Sequence, residues 1–211
     1  MKRLIFLTFL VLLFIFNTNV SAQEFKFGLV GGFNITKARL TNLPEDGRHI
    51  EEYSPMVSYN FNGYIGYKSG GLIGISVEPG FIQKGGGHKF YLDNGEENVR
   101  IQLNYLQLPV LVDFYVGKNL SLFVGPEFSY LLNAGTNDDL VDISVFYDKD
   151  FELSGVVGVS YNVHKNFDIG SRYSRGFSYT SKITFSDEAG NIVGDSKEYN
   201  QYFQFFVRFK I

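Results

Sequence analysis

The fold is decided by Tyr199-Asn200-Gln201-Tyr202-Phe203-Gln204-Phe205-Phe206-Val207-Arg208-Phe209-Lys210-Ile211. Read with a period of two, Phe203, Phe205, Val207, Phe209 and Ile211 share one face. Tyr202, Gln204, Phe206, Arg208 and Lys210 share the other. A helix, with its period of about 3.6 residues, would scatter both sets around its axis. Alternation over this length is a β-strand whose two faces meet different media.

Working outward, the same pattern predicts strands at 24–34, 57–68, 72–84, 99–116, 120–132, 150–163, 167–178 and 199–211. In the fourth, Leu106, Leu108, Val110, Val112 and Phe114 oppose Tyr105, Gln107, Pro109, Leu111, Asp113 and Tyr115. In the seventh, Phe167, Ile169 and Tyr173 oppose Asp168, Gly170, Arg172 and Ser174. Ser69-Gly70-Gly71, Gly117-Lys118-Asn119 and His164-Lys165-Asn166 are tight turns, whereas 35–56, 85–98, 133–149 and 179–198 are long and polar. An even set of strands with short turns at one end and long loops at the other predicts an all-β fold. It is an eight-stranded antiparallel transmembrane β-barrel, with extracellular long loops and both termini on the periplasmic, short-turn side.

Alternation alone does not say which face points outward, because a soluble barrel shows the same pattern inverted. The polar face carries Gly28, Gly74, Ser76, Gly80, Ser121, Gly125, Gly158 and Ser160, the small residues a narrow interior needs. Tyr and Phe cluster near strand ends, where interfacial girdles lie. The apolar face is therefore read as lipid-facing, with Leu106, Leu108, Val110, Phe203, Phe205, Val207 and Phe209 among its members.

At the N-terminus Lys2 and Arg3 precede an apolar run over 4–16, and Val20-Ser21-Ala22 offers small residues for cleavage. That run is shorter than the roughly 20 residues a spanning helix needs. Residues 1–22 are expected to be a cleaved signal peptide, and 23–211 one outer-membrane β-barrel domain. The 211 residues include 22 Phe, 14 Tyr, 23 Gly, 5 Pro and no Cys, which favours strands and tight turns and excludes disulfides and thiolate catalysis. Net charge is −3, and −5 over 23–211, which argues against a nucleic-acid partner.

Several short runs resemble a known family. They are Glu78-Pro79-Gly80-Phe81 with Gln83-Lys84-Gly85, and Tyr105-Leu106-Gln107-Leu108-Pro109-Val110-Leu111. Gly125-Pro126-Glu127, Gly155-Val156-Val157-Gly158 and Arg172-Tyr173-Ser174-Arg175-Gly176 complete the set. In their order and spacing the chain resembles the PorT-like outer-membrane β-barrel family of Bacteroidetes over essentially all of 23–211. The resemblance implies a Gram-negative outer membrane and an eight-stranded barrel, and no catalytic residue. One member of that family assists a specialised secretion system, a role nothing in this chain singles out.

The face read as lumenal carries Glu78, Asp113, Glu127, Glu152 and Asp168 against Lys26, Lys84, Arg172, Arg208 and Lys210. An eight-stranded barrel is about wide enough for side chains to fill, so these groups are expected to pair as a structural charge network. A gated ion path is the functional alternative. The four long stretches hold fifteen acids against seven bases. Among them Asn137-Asp138-Asp139 could hold Ca²⁺ or Mg²⁺ against lipopolysaccharide phosphates, but lacks the spacing and Gly of a calcium loop, so a solvated acidic loop is the reading. Gly85-Gly86-Gly87 is read as a strand-to-loop exit. His49 and His88 fall in long loops and His164 in a turn, and no Gly-x-Ser-x-Gly occurs. No catalytic, cofactor-binding or metal-binding residue is assigned.

The functional expectation is an integral outer-membrane barrel with a filled lumen and a structural or surface-interaction role through acidic loops. A narrow, porin-like passive pore is the alternative, and a lipid A-modifying enzyme a third. Expected partners are outer-membrane lipids, lipopolysaccharide and the barrel-assembly machinery. Phe205→Arg is expected to cost about 2–4 kcal/mol by placing Arg in lipid, and Gln204→Arg far less, because a lumenal site tolerates polarity. Urea unfolding in lipid vesicles measures both, and equal losses would contradict the two-face reading.

Overall fold

An alternating strand still needs a backbone partner on each edge. The computed structural model describes residues 24–41, 52–92, 95–136, 143–147, 149–186 and 192–211. Its strands are β1 (Glu24–Thr41), β2 (Glu52–Ser54), β3 (Met56–Lys68), β4 (Ile73–Val77), β5 (Gly80–Leu92) and β6 (Gly95–Val116). They continue with β7 (Leu120–Gly135), β8 (Phe151–His164), β9 (Phe167–Gly176), β10 (Ser181–Ser186) and β11 (Ile192–Lys210).

Every pairing is antiparallel, and β1 pairs with β11 on one edge and with β3 on the other, which closes the sheet. With β4 and β5 counted as one interrupted strand, the ring is β1, β3, β4/β5, β6, β7, β8, β9 and β11. β2 and β10 add short pairings to β5 and β11. The closing register sets Leu29 beside Phe209, Phe33 beside Phe205 and Ile35 beside Phe203. The Phe33 and Phe205 rings lie 5.2 Å apart.

The last strand turns the faces its alternation predicts. Phe203, Phe205, Val207 and Phe209 are 38–51% exposed, whereas Gln204 and Arg208 are 0% and 2% exposed. Leu106 and Leu108 are likewise outward and exposed, and Val110 is half-buried. The tight turns and both ends of the described chain gather at one end, where Ile211 and Phe27 exchange backbone hydrogen bonds of 2.8 and 3.2 Å. Gly70 and Gly117 take φ of 68° and 67° there, a left-handed backbone that glycine adopts without Cβ strain.

Three expectations are corrected. The strand at 72–84 is broken at Glu78-Pro79, because Pro79 here and Pro109 opposite Glu78 on β6 have no N–H to donate. Glu78 N still donates to Pro109 O at 3.0 Å and Gly63 N to Pro79 O at 2.8 Å, so the wall stays bonded through the break. Next, much of the predicted loop is strand: β1 runs on to Thr41, β11 begins at Ile192, and β5 and β6 pair up to Leu92 opposite Gly95. Gly85-Gly86-Gly87 and His88 therefore lie within β5. Gly85 has φ of 118°, and a Cβ there would strike the Ile101 carbonyl, so the run is a tight passage of the wall rather than an exit. Last, His164 ends β8 beside its turn. The predicted signal peptide, His49 and Asn137-Asp138-Asp139 lie outside the described residues.

Because β11 supplies partners to both β1 and β9, deleting residues 202–211 is predicted to abolish assembly rather than weaken it. Heat-modifiable gel mobility tests this: a truncated chain that still migrates as a folded species until boiled would contradict closure.

Candidate functional site

The closed ring leaves its inward side chains nowhere to go but each other, so the polar groups of the chain converge in the lumen. At its centre lies Glu78, 0% exposed at the β4/β5 break. Its carboxylate faces Arg172 Nη1 at 2.7 Å and Arg208 Nη2 at 2.7 Å. Arg172 is on β9, four strands from β4/β5 in either direction, so this ion pair joins diametrically opposite walls. Arg208 Nη1 lies 3.4 Å from Asp168, which also accepts from Lys210 Nζ at 2.7 Å and Asn162 Nδ2 at 2.8 Å.

A second cluster lies toward the long-loop end. Lys84 Nζ donates to Glu127 at 2.9 Å, Glu152 at 3.0 Å and Ser129 at 3.1 Å, so one ammonium faces two carboxylates. The remaining acceptor sites are covered too. Tyr202 donates to Glu127, while Asn200 and Ser154 donate to Glu152 at 2.7 and 2.8 Å. The Tyr105 ring lies 5.0 Å from Lys84 Nζ.

Apolar side chains pack around these clusters. Val30, Tyr64, Leu111, Phe123, Val156 and Phe206 pack together, with the Arg172 and Arg208 guanidinium carbons 5.0 and 5.3 Å from the Phe206 ring. Ile82, Leu103, Tyr105, Leu131, Ala134 and Tyr202 form a second group, against which Ile143 and Tyr147 pack. Ile143 N donates to Ala134 O at 3.1 Å and Ala134 N to Ser144 Oγ at 2.9 Å. The 143–147 segment is thereby folded inward over the long-loop mouth. At the short-turn end the lumen opens into a cup of about 440 Å³, lined by Lys26, Lys68, Lys118, Lys165 and Lys210 and reaching Tyr64, Asp113 and Arg208.

Of the ten ionisable residues expected to pair in the lumen, Glu78, Lys84, Glu127, Glu152, Asp168, Arg172, Arg208 and Lys210 do so. Asp113 and Lys26 do not. Asp113 is buried and accepts from Ser76 Oγ at 2.7 Å, with no ion pair among the described residues. Lys26 sits at the mouth, about one-third exposed, 3.2 Å from Glu24.

The chain of amides beside the Glu78 cluster was not singled out by the sequence. Gln107 donates to Asn62 at 3.0 Å, Asn60 donates to Asn62 at 2.8 Å, and Asn62 donates to Glu78 O at 2.7 Å. Gln204 donates to Asn60 and accepts from Arg172 Nε. Alternation places all four amides on the inward face, but it carries no sign of which strands meet across the lumen. The tolerance expected of Gln204→Arg is corrected, because the new cation would sit fully buried beside Arg172, so a large loss there no longer counts against the two-face reading. Among the described residues no group of three His, Cys, Asp or Glu side chains is placed to hold a metal ion.

A family model described as outer membrane protein beta-barrel domain matches residues 21–182. No curated protein matches the chain. Neisserial surface protein A is similar in structure, with a TM-score of 0.52 and 16% identity over 90% of this chain and 100% of its own. The outer membrane protein OprG from Pseudomonas aeruginosa has a TM-score of 0.51 and 11% identity over 90% and 98%. The outer membrane protease OmpT from Escherichia coli has a TM-score of 0.42 and 9% identity over 92% and 99%.

Removing one partner from a buried ion pair costs more than the pair contributes, because the other charge stays desolvated. Glu78→Gln strands two guanidinium groups and is predicted to lower stability by about 3–5 kcal/mol. Reversible urea unfolding measures it, and a loss under about 1 kcal/mol would show that the cluster is not a structural brace.

Proposed function

From its membership of the outer membrane protein beta-barrel domain family, which makes this chain an outer-membrane β-barrel protein, we propose a non-conducting, non-enzymatic barrel. Its role is structural or surface-interacting, exercised through the acidic residues of the polar stretches 35–56, 85–98, 133–149 and 179–198, strand extensions included. In this reading the chain is exported on a signal peptide, residues 1–22, and inserted by the barrel-assembly machinery. It crosses the membrane in multiple passes with its short turns in the periplasm. Its lipid-facing surface includes Leu106, Leu108, Val110, Phe203, Phe205, Val207 and Phe209, and lipopolysaccharide and other outer-membrane lipids are its immediate partners. The resemblance to the PorT-like barrels of Bacteroidetes narrows the family further.

One observation carries the closed lumen: Arg172 and Glu78 meet at 2.7 Å from opposite walls, both essentially unexposed. An ion crossing at this level would have to separate that pair, and each freed charge would lose several kcal/mol of compensation. The inward fold of 143–147 supports the same reading at the outer mouth.

The cup of about 440 Å³ at the short-turn end favours a second reading, a narrow passive pore. It ends against Arg208 and Asp113, both 2% exposed, so the pore requires that floor to open. The purified barrel in planar bilayers at neutral pH is predicted to give no steady single-channel current. Reproducible open-channel conductance of porin size would replace the closed-lumen reading with the pore.

A further inference from the structure

The strand extensions carry bases that their position in polar stretches had assigned to loops. On the outward face of β1, Phe25, Phe27, Leu29, Phe33 and Ile35 are all exposed, and the next two outward positions are Lys37 and Arg39. Lys37 pairs with Gln201 on β11, and Gln201 with Arg175 on β9, so Lys37 and Arg175 flank one row of the wall. Neighbouring strands are about 4.8 Å apart, which sets the Cα atoms of Lys37 and Arg175 roughly 10 Å apart. Arg39 stands one row further out, opposite Tyr199, its guanidinium carbon 4.8 Å from that ring.

Among the described residues these three cations are not consumed by carboxylates: none has an acid within ion-pair distance, and Arg39 Nε is buried without a hydrogen-bond partner. Asp195, further along β11 and opposite β10, is already held by Lys182 at 2.8 Å and by the Thr184 hydroxyl at 2.9 Å. Those hydrogen bonds, that of Lys182 first, keep its carboxyl below the usual range. Glu198 points inward and is 5% exposed. Tyr173 and Tyr199 complete the patch, amphipathic rings of the kind that settle at a membrane–water boundary. The chain is acidic as a whole, yet this sector of the outer wall is basic and begins where the apolar band ends.

We propose that Lys37, Arg39 and Arg175 form a lipid-binding site on the barrel's outer wall, for the phosphates of a lipopolysaccharide-type glycolipid in the outer leaflet. The site rests on the reading that the long-loop end faces the cell exterior. A guanidinium fork offers parallel N–H donors to a phosphate and Lys a point charge. Two flanking bases with a third above suit a disaccharide headgroup phosphorylated at both ends. The adjoining phenylalanines of β1 and β11 accept its acyl chains.

The test is retention of bisphosphorylated lipid A by the purified full-length barrel in phosphocholine vesicles, read by native mass spectrometry. The substitution set Lys37→Gln, Arg39→Gln and Arg175→Gln is predicted to lose roughly tenfold in affinity, equivalent to about 1.4 kcal/mol. Arg39→Lys with Arg175→Lys retains most of it. Lys118→Gln with Lys165→Gln, at the short-turn end, retains all of it. Heat-modifiable mobility selects folded protein for each measurement. Dephosphorylated lipid A is predicted to bind the parent more weakly, while excess inorganic phosphate and a divalent-cation chelator leave the bound lipid in place. Parent-like binding by the triple variant, or equal loss in the turn variant, would overturn the site. Release by chelator would overturn it in favour of divalent bridging through acidic loops. Conductance plays no part in the readout, so a conducting barrel that keeps its lipid fails the functional reading and not this one.

Discussion

A backbone that crosses a bilayer finds no water to satisfy its N–H and C=O groups, and every other feature of this protein depends on that constraint. The double engagement of β1, with β3 on one edge and β11 on the other, answers it by leaving the ring no free edge. Even where Pro79 and Pro109 remove donors from adjacent strands, Glu78 N and Gly63 N keep the seam bonded. Eight strands then fix the width of the lumen, and the width decides what its side chains must do.

What they do is neutralise one another across the bore. A fully desolvated charge needs both an opposite charge and enough hydrogen bonds to occupy its remaining sites. Glu127 and Glu152 meet that demand through Lys84, Tyr202, Asn200 and Ser154, while Glu78 is neutralised by two arginines, from β9 and β11, and accepts a hydrogen bond from Arg208. Phe206 lies beside both arginines and excludes water from them. The opposed walls are thus tied by charge, while the outward wall is apolar up to the row where Lys37 and Arg175 begin.

The ring of strands was legible because lipid outside and a filled lumen inside impose strict alternation. Where the strands leave the apolar band that contrast inverts: Lys37 and Arg39 turn outward while Ala38 between them is buried, and with Lys182 and Lys197 on the neighbouring extensions these stretches read as polar loop. The break at Glu78-Pro79 was hidden for a different reason. A proline inside an alternating run leaves the run's hydrophobic pattern intact and removes only a hydrogen bond. In the lumen, alternation assigned each charge to a face but gave no depth along the bore. Lys26 reads like Lys84 by that measure, yet one sits at the mouth beside Glu24 and the other between two buried carboxylates. Asp113 found Ser76 on the neighbouring strand rather than a base across the lumen.

The central claim is that charges from opposite walls are coupled in a closed bore. A double-mutant cycle on Glu78→Gln and Arg172→Gln, followed by reversible urea unfolding in lipid vesicles, tests it most directly. The account predicts that the double variant loses much less than the two single losses combined, with a coupling energy of about 1–3 kcal/mol. Losses that add to within about 0.5 kcal/mol would mean the two walls are energetically independent, and the cross-lumen brace would be wrong.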